Sequence, residues 1–214
     1  MIPLTVEEFF ARSGVTHYKK GETILRGGDQ PQGVFYIKKG YVRLYSLSKE
    51  GEELTLIIFK PGDFFPMIWA INNTSNMYYL ESMTPVEVYR APRDEFVSYI
   101  KGEPEVLFEL TGRILVRLGG LLQRMEHLAF GNAYDKVASI LFICAERFGT
   151  SSGKNIVIPL PLTHRDIASL LGITRETVSI EIKKLAEKKI INYKGKHIIV
   201  EDLARLRQES SLDD

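Results

Sequence analysis

The chain has 214 residues, 44% of them hydrophobic and 26% charged, with a formal net charge of +1; these are values of an ordinary globular protein of one large or two small domains. It holds no apolar run of about 18 residues and no basic-then-apolar start, so neither a membrane span nor a secretory leader is expected and a cytoplasmic location is. Its single cysteine, Cys144, excludes an internal disulfide and any multi-cysteine zinc or iron–sulfur site.

The first 16 residues contain a short helical pattern around Val6–Ala11. From His17 to Ala91 short β-prone runs alternate with turn residues, among them Gly21, Gly27-Gly28, Gly40, Gly51 and Pro61-Gly62. Even spacing of this kind predicts an all-β antiparallel sandwich, barrel or roll. Pro92 opens a helical region, with one short helix through Ile100 and a long one after Gly102 and Pro104. In the long helix Leu107, Thr111, Ile114, Leu118, Leu121, Met125 and Leu128 recur at alternating spacings of four and three, a heptad seam. Leu107, Ile114, Leu118, Leu121, Met125 and Leu128 are the candidate dimer contacts. Leu110, Val116 and Leu122 lie off the seam and are available to contact the chain's own domain; a helix packed only on that domain is the alternative. Gly131-Asn132 breaks the helix, Asn132 is suited to cap an amphipathic segment over Tyr134–Phe148, and residues 149–153 read as a polar linker.

The stretch from Leu162 to Lys189 reads as two helices joined by a tight turn. Thr163 is suited to cap the first, with Asp166 three residues on. Ile167, Ala168, Leu170 and Leu171 supply an apolar face with one small residue, and Gly172 ends the helix where a positive φ is tolerated. Thr174 caps a second helix in which Val178, Ile182 and Leu185 share one face while Glu176, Ile180 and Lys183 point the other way. A helix anchored on one face with free polar residues at its N-terminus suits the major groove. A plain helical hairpin shares the periodicity but not the turn glycine, small residue and caps at this spacing. From Thr163 to His197 eight cationic side chains face four acidic ones, a net +4 against +1 for the whole chain, as phosphate binding requires. Two β-prone runs around Lys194-Gly195 then predict a hairpin wing.

The order of these parts resembles the CRP/FNR family of bacterial transcription regulators over essentially the whole chain. The resemblance rests on Leu128-Ala129-Phe130, on Lys136-Val137-Ala138, on Leu171-Gly172-Ile173-Thr174-Arg175-Glu176-Thr177-Val178, and on the Lys194-Gly195-Lys196 turn. It implies an α+β fold: an N-terminal antiparallel β-roll, jelly-roll-like, with flanking helices (1–103), a dimerisation helix and hinge (104–131), and a winged helix-turn-helix (132–214). It also implies a homodimer on a pseudo-palindromic double-stranded DNA site, and contact with RNA polymerase. Family members read bases with an Arg and a Glu, here Arg175 and Glu176; the later Arg is replaced by Ile180, Glu181 stands where an apolar residue is usual, and Ser179 matches the FNR branch. The residues expected at DNA are Thr163, His164, Thr174, Arg175, Glu176, Thr177, Ser179, Ile180, Lys183 and Lys196.

The effector region departs from the family's cyclic-nucleotide binders. Those follow the Pro-Gly-Asp-Phe turn with a Gly-Glu pair and later an Arg that pairs the cyclic phosphate. Here Pro61-Gly62-Asp63-Phe64 leads into Phe65-Pro66-Met67-Ile68-Trp69, Asn76-Met77-Tyr78-Tyr79 lies near the place of the Arg, and no basic residue occurs between Lys60 and Arg90. Burying a phosphate without a cation is costly, so cyclic AMP dependence is not expected. Phe65, Met67, Trp69, Tyr78 and Tyr79 either fill the roll of an effector-independent regulator or line a pocket for an apolar or aromatic effector. The four histidines, His17, His127, His164 and His197, are scattered singly, so neither haem nor another cofactor or metal is expected. Cys144 on an apolar helical face reads as core rather than as a redox sensor. No His-x-His, nucleophile–base or phosphate-loop pattern suggests an enzyme. A non-DNA ligand-binding scaffold is the remaining rival, distinguished by DNA gel shift.

Overall fold

The computed structural model describes residues 5–210; the outer ends of the first and last segments anticipated above, residues 1–4 and 211–214, lie outside the described residues. The chain forms two compact units. Among the described residues, one comprises those up to Glu50 together with Leu56–Arg117; the other comprises Gly51–Thr55 and those from Leu118 onward. No described helix is long and apolar enough to cross a membrane.

The first unit opens with α1 (Val6–Ala11). Its cap is reciprocal: the Thr5 hydroxyl accepts from Glu8 N–H at 3.3 Å, and the Glu8 carboxylate accepts from Thr5 N–H at 2.9 Å. Eight strands follow: β1 (Val15–Tyr18), β2 (Thr23–Leu25), β3 (Val34–Lys39), β4 (Val42–Leu47), β5 (Glu53–Phe59), β6 (Phe64–Phe65), β7 (Tyr79–Ser82) and β8 (Val86–Ala91). They make two four-stranded sheets, ordered β1-β8-β3-β6 and β2-β7-β4-β5. At the β3–β4 turn Gly40 has φ +91°, and a side chain there would strike the Pro85 carbonyl, so only glycine fits.

Strand β3 shows how this unit is layered. Phe35 and Ile37 point into a cluster shared by both sheets, with Leu25, Val42, Phe59, Phe65 and Leu80. Val34 and Tyr36, on the other face, pack with α1 and the helices that follow β6 and β8. The period of two thus serves two cores, and every residue from Val34 to Ile37 is buried. Phe64 and Phe65 divide in the same way.

The expectation of a purely β segment between His17 and Ala91 needs correction. A helix, α2 (Met67–Asn72), lies between β6 and β7, burying Trp69 and Ala70 and ending at Asn73 in the left-handed region, φ 53°. Its six residues are too few to display a helical period amid aromatic neighbours. The two expected helices follow as α3 (Arg93–Gly102) and α4 (Pro104–Phe130), the latter 27 residues long.

One side of α4 faces inward through Val106 and Leu110, which are buried. Of the three off-seam residues, only Leu110 makes this contact; Val116 and Leu122 are 78% and 58% exposed. Arginines on the same side take their place. Arg113 donates to the Gly62 carbonyl at 3.2 Å, and Arg117 pairs with Asp63 while lying 5.2 Å from the Phe59 ring centroid.

The second unit begins with the rest of α4 and α5 (Ala133–Phe148). Asn132 caps α5, accepting from Tyr134 and Asp135 N–H at 2.8 and 3.1 Å. The polar stretch after it is not a free linker. Thr150–Ser152 forms β9, paired with β10 (Asn155–Ile158) about Gly153, φ +64°. After α6 (His164–Leu171) and α7 (Arg175–Glu187), β11 (Ile191–Lys194) and β12 (His197–Val200) complete a sheet ordered β11-β12-β10-β9. A final helix, α8 (Leu203–Glu209), capped by Asp202, buries Leu206 completely. Cys144 lies in this core with 2% exposure, and burial pushes its thiol pKa up to about 12.

Candidate nucleic-acid interface

The two-helix motif is built from its caps. Thr163 N–H and hydroxyl both donate to the Asp166 carboxylate, at 2.8 and 2.6 Å, and Asp166 N–H returns a bond to the hydroxyl at 3.2 Å. The α6 start is therefore closed by its own residues, and the one hydroxyl proton of Thr163 is already engaged. At the other end Gly172 adopts φ +64°, which turns the chain into Thr174. The Thr174 hydroxyl accepts from Thr177 N–H at 3.2 Å and lies 2.8 Å from the Thr177 hydroxyl.

Packing then orients α7. Val178, Ile182 and Leu185 are buried with exposures of 0, 3 and 0%, against α5 and α6. The opposite face carries Arg175, Glu176, Ser179, Ile180 and Lys183, all exposed, with Ile180 at 57%. Arg175, Ser179 and Lys183, like Glu176 and Ile180, recur four residues apart, so they form one continuous strip headed by the helix N-terminus, where free N–H groups and the positive dipole end favour an anion.

The β11–β12 hairpin, whose β11 contacts α7, has a Lys194-Gly195-Lys196 turn with Gly195 at φ +63°. A contact unmarked in the sequence ties it to α6: His164 Nε2 lies 3.3 Å from the Tyr193 hydroxyl. Burial raises the Tyr193 pKa, so the phenol stays protonated and able to donate. Only an alternation signal on β11 could have pointed to Tyr193, and four residues are too few to show one.

Some cations of the basic count are paired within the protein. Lys184 pairs with Glu181 at 2.7 Å, and Lys188 with Glu209 at 2.6 Å; Lys183 has a looser, exposed contact with Glu187 at 3.8 Å. Lys184 and Lys188 are thereby neutralised within the protein. Arg165, Arg175, Lys194 and Lys196 belong to the helix starts and the wing turn.

Of the five aromatic and methionine residues singled out in the first unit, Phe65, Met67 and Trp69 join its two cores. Phe65, 1% exposed, stacks on Phe35 at 5.5 Å and lies 5.3 Å from Phe59. Trp69 belongs to the helical layer, with the Arg93 guanidinium 5.9 Å from its ring centroid, and Met67 packs on that layer. Tyr79 stacks on Tyr45 at 5.2 Å, and Tyr78 is half-buried. Asn76, near the family's phosphate-pairing position, donates both amide protons to main-chain carbonyls, of Arg26 and Tyr78, each at 2.8 Å.

Comparison with known proteins agrees with both units. Residues 15–103 match the cyclic nucleotide-binding domain family and residues 135–209 the Crp-like helix-turn-helix domain family. The chain is 29% identical over 188 residues to the global nitrogen regulator of Nostoc sp., covering 87% of this chain and 84% of that protein. It is 27% identical over 193 residues to the CRP-like cAMP-activated global transcriptional regulator of Mycobacterium tuberculosis, covering 90% and 86%. Its fold matches FixK2 of Bradyrhizobium japonicum at TM-score 0.80 and 24% identity, over 94% of this chain and 99% of that one. A CRP/FNR-family transcriptional regulator from Thermus thermophilus matches at TM-score 0.73 and 26% identity, over 92% and 98%. Capped helix-turn-helix, wing and β-roll thus occur here in the order shared by these proteins, and the chain belongs to the CRP/FNR family of DNA-binding transcription regulators.

Proposed function

We propose that the protein binds a pseudo-palindromic DNA site as a homodimer, through α7, and does so without cyclic AMP. The exposed strip Arg175, Glu176, Ser179, Ile180 and Lys183 carries the proposal. Arg175 matches guanine O6 and N7 bidentately, Glu176 accepts from cytosine N4, and Ile180 offers an apolar surface to a thymine methyl. Lys183, Lys196 and the His164–Tyr193 pair meet the backbone, which positions the helix without reading sequence. The caps of Thr163, Thr174 and Thr177 set the two helix starts.

Dimerisation is supported by the apolar side of α4. Leu107, Ile114, Leu118 and Met125 are 46, 51, 49 and 65% exposed, and Leu121 and Leu128 are half-buried. A row of this length on a single chain calls for a second copy. Independence from cyclic AMP is supported by the chemistry of the roll. The Mycobacterium relative is by name cAMP-activated, but this chain has no Lys or Arg from 61 to 89, and Asn76 uses its donors on main-chain carbonyls. These residues do not fit a cyclic phosphate. The Phe35 ring stacked on Phe65 and the Phe59 ring tilted against it favour a filled roll over an apolar effector pocket.

The test is binding selection from random DNA with the purified protein, with and without cyclic AMP. The expected product is an inverted repeat with half-sites about 34 Å apart, enriched equally in both arms. Enrichment of no sequence, or enrichment only with cyclic AMP, overturns the reading.

A further inference from the structure

Three segments far apart in the sequence meet in a buried polar cluster of the second unit. Thr55 and Ser169 are 2% and 8% exposed. The Ser169 hydroxyl donates to the Glu53 carbonyl at 3.1 Å and accepts from Thr55 N–H at 3.1 Å. Its oxygen also lies 2.8 Å from the Thr55 hydroxyl. Since its one proton goes to Glu53, Thr55 is the donor in that last bond. From α4, Arg124 Nη2 donates to the Thr55 carbonyl at 2.6 Å and to the carbonyl of Leu170.

These bonds answer two separate demands. The main-chain groups of Glu53 and Thr55 need partners once buried; Ser169 and Arg124 supply them. Leu170 lies in the last turn of α6, where main-chain carbonyls are unpaired and the dipole favours a cation. Arg124 supplies that as well. The intervening Leu54 reaches the turn itself: a side chain at Gly172 would touch its methyl at 3.7 Å. Within the second unit α6 is thus held at its C-terminal end by the long helix and by Glu53, Leu54 and Thr55, at the end opposite its capped start.

From this geometry we infer that Arg124, Thr55 and Ser169 are positioning residues for DNA reading, fixing the helix-turn-helix to the half of α4 that carries Leu118, Leu121 and Met125. The inference rests on the homodimeric reading above. If that side of α4 lies at the dimer axis, the bonds from Arg124 and residues 53–55 to α6 set how far each recognition helix stands from the axis. They therefore set which half-site spacing the dimer accepts. None of the three touches a base, so each acts through the placement of α6 and α7.

The experiment measures affinity of the dimer for the selected inverted repeat and for versions with the centre lengthened or shortened by one base pair. The variants are Arg124→Met, which keeps length but removes the donors, the near-isosteric pair Thr55→Val with Ser169→Ala, and Arg124→Lys as the conservative control. Each is also assayed for melting temperature and for affinity to random DNA. Wild type is expected to lose about tenfold or more in affinity when the spacing changes, because one base pair rotates and shifts a half-site relative to its partner. In Arg124→Met and in the Thr55/Ser169 double variant that penalty is expected to fall to about threefold or less with random-DNA affinity unchanged, and Arg124→Lys to restore most of it. If Arg124→Met fails to fold, the double variant decides alone. Variants that keep the wild-type spacing penalty overturn this inference and leave the homodimer standing. A wild type indifferent to spacing overturns both.

Discussion

Lys188 Nζ sits 2.6 Å from Glu209 Oε2, with the Tyr134 ring centroid 4.7 Å away, so the C-cap of α7 is tied to α8 and α5. Arg205 reinforces the tie by donating to the Lys188 carbonyl at 3.3 Å. The hydrogen bond to Glu209 raises the Lys188 pKa, and the same bond lowers that of Glu209. A lowered carboxylate pKa contributes stability above the usual carboxylate range, lost as pH falls and Glu209 protonates. A raised lysine pKa contributes below the usual lysine range, lost as pH rises and Lys188 deprotonates. Glu209→Gln is therefore expected to melt below wild type across the neutral range, with the two curves converging at strongly acid pH. A difference that persists unchanged into acid would show the pair is not the cause.

Because Lys188 is occupied internally and Lys183 is not held as closely, the two lysines should behave differently on DNA. Lys183→Ala is expected to weaken all sequences alike and to lower the salt slope of binding by about one. Lys188→Ala should leave that slope unchanged. Titrating affinity against salt for both variants distinguishes phosphate contact from anchor.

Base reading is expected of Arg175 and Glu176. Replacing either with Ala should cost on the order of 1–3 kcal/mol on the selected site and relax preference at one base pair per half-site. If Arg175→Ala weakens random DNA as much as the selected site, its role is backbone contact.

The seam is tested by charge. Leu118 is 49% exposed in the single chain and Leu121 half-buried, so replacing both with Glu should leave each chain folded but unable to pair. Sedimentation should then report monomers, and specific binding should be lost. A double variant that still sediments as a dimer would falsify the seam.

Cys144 offers a probe of the second unit. With its thiol pushed up to about 12 by burial, it forms almost no thiolate near neutral pH. Native protein is expected to resist thiol reagents at pH 8 and to react at once in denaturant. Rapid labelling without unfolding would mean that the α5 core opens readily.

How much of this was legible in the chain depended on how local the signal is. Thr163 with Asp166, Thr174 before Arg175, Gly172 at a left-handed corner, and the four-three repeat of α4 are set within a few residues by hydrogen-bond geometry and helical period. The sequence by itself therefore determined the helix-turn-helix, the wing, the roll's strands and the family. It did not show that Thr150–Ser152 is a strand, that Met67–Asn72 is a helix, or that Leu110 turns inward while Val116 turns out. Those depend on what each segment meets, and short stretches carry no period to reveal it. Above all, only the tertiary structure decided which cations are paired within the protein and which are not held as closely. Lys188 finds Glu209 21 residues away, Arg124 finds the Thr55 carbonyl 69 residues away, and Thr55 finds Ser169 across 114. The last two are made where folding removes water from polar groups that must then bond to one another, and no spacing along the chain encodes any of the three.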